Sequence, residues 1–222
     1  MSGWTDFTLA LLAFLASHMI PARPRVRAAL VGAVGLRPYI LGYSLLSVLI
    51  LIWLVMAAAQ APYVQVLPPH AALRWAPALL MALACPLIVA GMSVRNPLSF
   101  GGLGQGDFDP GHPGILALSR HPLLLALMLW SLAHLLANGD LAHVILFGGF
   151  AAFSVAGMAL IDRRKRRMMG AEWDRLAGNT ARLSLRGAAA LLRPHALIGG
   201  AALYALLFAL HGWVIGLSPV PL

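Results

Sequence analysis

Charge is scarce in this chain, and acidic charge is the scarcest part of it. Only 10% of the 222 residues are Asp, Glu, Lys or Arg, and seven of these are acids against 16 bases. A soluble domain carries roughly 25% charged residues, so the polar surface needed to face water on all sides is missing. Cysteine is nearly absent. With Cys85 alone, an intrachain disulfide is excluded, and with no Cys-x-x-Cys-His motif so is covalent c-type haem attachment. The acids are Asp6, Asp107, Asp109, Asp140, Asp162, Glu172 and Asp174. None lies mid-membrane, so paired-carboxylate catalysis fails on inventory. A Ser-His-Asp triad has no plausible buried third member.

What is present is apolar. Hydrophobic residues make up 60% and mean hydropathy is +0.83. The expectation is an all-α integral membrane protein, a single bundle of about six transmembrane helices over 1–222. The runs near 4–20, 38–59, 75–93, 122–137, 141–161 and 196–216 fall in or near the spanning length of about 20 residues. No basic n-region precedes the first run, so it is expected as a retained span. The net charge of +9 reads as loop arginines, with no nucleic acid partner. Fifteen of the 16 bases, all but Arg74, fall on the connections after runs one, three and five. Positive loops stay on the cytoplasmic side, which places both termini on the opposite face.

Two connections stand out. Residues 93–119, SVRNPLSFGGLGQGDFDPGHPGILALS, have the composition of turns and exceed the length at which structureless loops are ordinary. They lack the strand-then-helix setting of a nucleotide fingerprint. The fifth connection opens on Arg163-Arg164-Lys165-Arg166-Arg167, suited to anionic lipid. The basic segment that follows sets Trp173, Leu176, Ala177 and Leu183 on an amphipathic pattern, expected to lie on the membrane. Trp4, Trp53, Trp75 and Trp213 fall near helix ends, as interfacial anchors do. Pro86 predicts a kink.

The chemistry rests on histidines. His70, His143 and His211 are expected near the outer surface, and His112 and His195 in inner connections. His18, His121 and His134 remain. Arg120-His121-Pro122 opens the fourth run and Ala137-Asn138-Gly139-Asp140 closes it, with Asn-Gly chemistry suited to a turn or C-cap and hence an antiparallel hairpin. Histidines in an apolar bundle without carboxylates suit a bound haem; helix capping or hydrogen bonds to carbonyls suit them equally. His121 and His134 lie about 20 Å apart along a helix axis, so they do not share one iron. Trp130 and Ser131 share the face of His134.

These blocks resemble the NnrU family: Ser17-His18-Met19-Ile20-Pro21 before an Arg-rich run, Arg37-Pro38-Tyr39, Arg120-His121-Pro122, Trp130-Ser131-Leu132-Ala133-His134 with Asn138-Gly139-Asp140, and Arg164-Lys165-Arg166-Arg167 before Gly170-Ala171-Glu172-Trp173. The resemblance implies a multi-pass bacterial inner-membrane protein with periplasmic termini, associated with denitrification and nitric-oxide metabolism. It also implies kinship with the plastid 15-cis-ζ-carotene isomerase, a haem b enzyme acting on an apolar polyene. By that resemblance His18 and His134 are the axial iron ligands, with His121 close behind. Ser131 stands where the isomerase has a redox-active cysteine, and Arg120 is a candidate for the haem propionates. Topology sets His18 toward the cytoplasmic end of its helix and His134 toward the outer end of its own, a conflict in depth. A rival resemblance is to membrane methyltransferases of the isoprenylcysteine carboxyl type, in which Arg120, His121 and Glu172 would bind S-adenosylmethionine. A third reading is a non-catalytic assembly or transport factor.

Overall fold

The computed structural model describes residues 3–21, 23–68 and 73–220; His70 lies outside them. Among the described residues the chain is helical, with no strand beyond an isolated bridge between Gln65 and Asp140. The helices are α1 (Gly3–Met19), α2 (Pro24–Val34), α3 (Leu36–Gln60), α4 (Ala76–Met92), α5 (Pro122–Ala137), α6 (Leu141–Met169), α7 (Ala171–Ala177) and α8 (Pro194–Ile215), with 3-10 segments at Gly114–Ala117 and Leu185–Leu192. All six expected apolar helices form. Three of them (α3, α6 and α8) are long and apolar enough to cross a membrane, or four with α1 and α2 taken as one span bent by 81°. The other two, α4 and α5, are apolar but only 17 and 16 residues long.

The chain divides into two compact units, residues 1–67 with 140–146, and residues 68–139 with 147–222. In the first, α1 packs on α3. Its buried residues Phe7, Ala10 and Phe14 recur at the three- and four-residue spacing of one helix face. Trp53 donates from Nε1 to Asp6 (3.2 Å), so this tryptophan has a specific partner besides its interfacial role. The Arg-rich segment after α1, expected as a plain connection, forms α2. Pro24 starts it, where a missing N–H is no loss, and Gly35 ends it at φ +87°. Asp140 accepts from the backbone N–H of His143 (3.2 Å), capping α6.

In the second unit α4 packs on α5 and α8 around Leu87, Ile115, Leu116, Leu124 and Leu125. Pro86 stands where α8 comes closest: a Cβ on Gly200 would lie 2.7 Å from the Pro86 ring. Small residues permit such backbone approach between apolar helices. Helices α5 and α6 run antiparallel, since Trp130 meets Phe147 and Phe150 while Leu124 lies by Gly157. Asn138 closes α5 in extended conformation (φ −121°), not left-handed; its backbone N–H and Nδ2 both donate to the His134 carbonyl.

Two expectations are corrected here. Helix α6 does not stop at 161 but continues to Met169, so the basic run is helical. The apolar face of α7 does not lie on the membrane: Trp173, Leu176 and Ala177 are buried around Leu98 of the 93–119 loop. The loop covers that face first, while Leu183 stays exposed.

Candidate functional site

The two histidines flanking α5 sit in contrasting settings. At its start, the long Gly/Pro-rich loop delivers Asn96, Ser99, Arg120 and His121 to one place. Asn96 holds the loop closed by accepting from the N–H groups of Leu98 (3.0 Å) and Ser99 (3.1 Å) and donating to the Arg120 carbonyl (2.9 Å). Lys165 of α6 donates to the Pro97 carbonyl (2.8 Å). Backbone bonds from Arg120 to Ala181 and from Ser184 to Leu118 tie the segment after α7 alongside. A connection of loop composition is thereby ordered through its polar groups, as buried backbone demands.

The centre of this arrangement is Asp162 of α6, 5% exposed. Its Oδ1 accepts from Arg120 Nε (3.1 Å) and His121 Nε2 (2.9 Å), and its Oδ2 from Arg120 Nη2 (3.4 Å) and Arg182 Nε (2.6 Å). Arg120 also donates to Thr180 Oγ1 (3.0 Å), and its guanidinium lies 5.5 Å from the Trp173 ring centre, within cation–π reach. His121 is fully buried. A carboxylate only accepts, so Nε2 carries the proton and Nδ1 accepts from Ser99 Oγ (2.8 Å). Burial pushes the imidazole below its usual value. Asp162 pulls the other way, and Arg120 and Arg182 add to the lowering.

Sequence reasoning missed Asp162. A buried acid does complete a Ser99–His121–Asp162 chain, contrary to the expectation that no third member exists. The missed signal was position: Asp162 directly follows the apolar run and is the lone acid against five bases. A lone ionised acid at a membrane helix end needs a partner, and Arg120-His121 supplied one. The chain of contacts is not arranged for acyl transfer. Two guanidinium groups already saturate the carboxylate, and Ser99 is 9% exposed. A general base must be able to accept and hold a proton near its substrate, whereas this imidazole is held neutral by burial and the nearby cations.

At the other end, His134 is half-buried beside aromatic rings. Its ring centre lies 4.8 Å from Trp130, 4.9 Å from Phe147 and 6.3 Å from His211. His134 Nδ1 donates to the Trp130 carbonyl (2.9 Å), which leaves the lone pair on Nε2. Ser131 is fully buried and donates to the Leu127 carbonyl (2.7 Å). His211, expected as an outer-surface residue, is half-buried next to His134, with Nδ1 on the Leu217 carbonyl (2.8 Å). His18, in the first unit, repeats the pattern: Nδ1 donates to the Phe14 carbonyl (2.8 Å) and the ring faces Tyr43 edge-on. Metal-ligating histidines characteristically spend their second ring nitrogen on a backbone carbonyl in this way. The remaining histidines cap or bridge locally: His112 on Asp109, His143 on Asp140 and His195 on Ser93.

The family profile described as NnrU protein matches residues 6–219, nearly the whole chain. The chain belongs to the NnrU family. No curated protein and no solved structure matches it. The match takes in both ends of α5, so the ion network around Asp162 and the aromatic surround of His134 are features of an NnrU domain.

Proposed function

We propose that this NnrU-family protein is a six-crossing inner-membrane bundle with periplasmic termini that binds haem b through His134 and His18. We assign it a role in denitrification or nitric-oxide metabolism, with an apolar small molecule or nitric oxide as its ligand. The observation that carries the reading is His134: an imidazole whose Nδ1 is held by the Trp130 carbonyl and whose ring lies beside Trp130 and Phe147, with Phe150 stacked on Trp130 behind. An apolar shell and a fixed tautomer are what a haem ligand requires. His18 offers the same donor, with Nδ1 on the Phe14 carbonyl. In this role His134 and His18 would hold the iron, and Trp130 would border the bound group. Haem bound there would supply a one-electron couple and an iron able to take nitric oxide. Ser131, whose hydroxyl is turned to Leu127, is a poor iron ligand, which favours haem binding over the isomerase's redox-switched chemistry.

The methyltransferase reading requires Arg120, His121 and Glu172 to act together. Arg120 and His121 converge on Asp162, while Glu172 is exposed and clasped by Arg175, which holds its carboxyl below the usual range. The discriminating experiment is an absorbance spectrum of the protein purified in detergent after expression with a haem precursor. A Soret band is expected, weakened by His134→Ala and by His18→Ala. A colourless, iron-free preparation would sink the haem reading, and S-adenosylmethionine binding lost on Glu172→Ala would put the methyltransferase in its place.

A further inference from the structure

The 3-10 segment Leu185–Leu192 has a role beyond linking α7 to α8. Its inner side is set by Gly187, which packs so closely on the 3-10 turn Gly114–Ala117 that a Cβ there would clash with the Leu118 N–H and lie 2.8 Å from the Gly114 carbonyl oxygen. Ala188, Ala190 and Leu191 pack on the core. The outer side presents Leu185 (87% exposed) and Leu192 (69%), interleaved with the exposed Arg186 and Arg193. Between the two 3-10 segments lies a shallow, open cavity of ≈340 Å³ bordered by Arg186, Arg193 and His112.

Three observations select the occupant. First, charge: among the described residues Arg186 and Arg193 form no ion pair, and no acid follows Asp174 in the sequence. The one acid near the cavity, Asp109, is held by His112 Nδ1 (2.7 Å) and the Gly111 N–H (2.8 Å). Second, continuity: Arg193 is the N-cap of α8, long and apolar enough to span, so the segment lies at the boundary where that helix leaves the bilayer. Third, the exposed leucines beside the cavity would be unfavourable in water but suit an acyl boundary, with arginines reaching phosphate.

We propose that this cavity is a headgroup site for an anionic phospholipid, its phosphate taken by Arg186 and Arg193 while Leu185 and Leu192 enter the acyl boundary. The site is separate from the Arg163–Arg167 run and does not rest on haem binding. The test uses the full chain, delipidated in detergent and titrated with phosphatidylglycerol or phosphatidylcholine under native mass spectrometry. Phosphatidylglycerol is expected to bind at least about tenfold more tightly than phosphatidylcholine. Each arginine contributes roughly a five-fold gain toward an anionic surface, so R186Q/R193Q should lose about ten- to thirtyfold in affinity. R186K/R193K should keep most of it. L185S/L192S should abolish the advantage of phosphatidylglycerol over water-soluble glycerol 3-phosphate. Unchanged affinity in R186Q/R193Q overturns the proposal. So does glycerol 3-phosphate binding as tightly as the lipid, which marks a free-phosphate site, and so does loss of binding only when Arg163, Arg166 and Arg167 are replaced by Gln.

Discussion

Helix α5 carries a histidine at each end, and the two are opposites in surroundings. His121 is fully buried in a polar network, bonded through both ring nitrogens to side chains that reach it from the loop and from α6. His134 is half-buried, bonded through Nδ1 to its own helix, with the rings of Trp130 and Phe147 beside it. A histidine with both nitrogens committed to protein partners is a structural member. One with a carbonyl-fixed tautomer in an apolar surround is suited to a ligand. The same residue type on the same helix thus answers two different questions, and the predictions below try to make the two ends behave alike.

The largest effect is expected at the polar end. Asp162→Ala removes the carboxylate that Arg120 and Arg182 share, leaving the Arg120 guanidinium, 16% exposed, without its counter-charge. Breaking one side of a buried pair costs about 3–5 kcal/mol, so thermal unfolding in detergent should show severe loss or no folded protein. A melting point within a few degrees of the parent would mean that the network is solvated and the contrast false. Next, His121→Ala should cost about 1–3 kcal/mol, because Ser99 and Asp162 each lose a buried partner, yet leave any Soret band in place. His134→Ala should do the reverse, holding stability within about 1 kcal/mol while the Soret band weakens. Equal effects of both variants on both readouts would erase the distinction.

The polar end was only half legible in the sequence. Hydropathy places all six apolar helices, five of them within a few residues at both ends, because each is a long run bounded by Arg, Pro or Gly; α6 overruns its apolar stretch because the basic run continues the helix to Met169. Pro122 and Asn138 marked the ends of α5 correctly for local reasons: a missing N–H, and an amide able to cap. What stayed hidden is long-range. Asp162 is 41 residues from His121 and Ser99 is 22 away, and no periodicity links them. The amphipathic pattern of α7 points to the membrane surface in the sequence, because Leu98, the partner that buries its apolar face, lies in a loop whose composition gives no hint of order. His211 next to His134 was hidden for the same reason: it is 77 residues further along, and only packing brings the rings together.

A pH series sharpens the comparison further. Burial lowers the His121 value, so the folded protein keeps the ring neutral where an unfolded chain, titrating near 6.5, begins to bind a proton. The unfolded state then binds more protons, and stability falls as pH drops from just above 6.5 toward the depressed value, flattening below it. Thermal melts should show this slope in the parent and lose it in His121→Asn. His134→Ala should leave the slope intact. A slope that vanishes only with His134 would transfer the pH sensitivity to the aromatic end.

The smallest effect is expected from Ser99→Ala. The hydroxyl donates to His121 Nδ1, and its removal leaves a buried ring acceptor without a donor, about 0.5–1.5 kcal/mol at this site. The informative readout is the pH slope, not the size of the loss. With Nε2–H still given to Asp162, an unpartnered Nδ1 is the place where an incoming proton would go. It no longer has to displace a hydrogen bond, so the His121 value should rise toward its ordinary position and the slope should become shallower. Thermal melts of Ser99→Ala between neutral and mildly acidic pH check this. A steeper slope would mean that Ser99 favours the protonated ring, accepting from Nδ1–H when His121 takes up its proton.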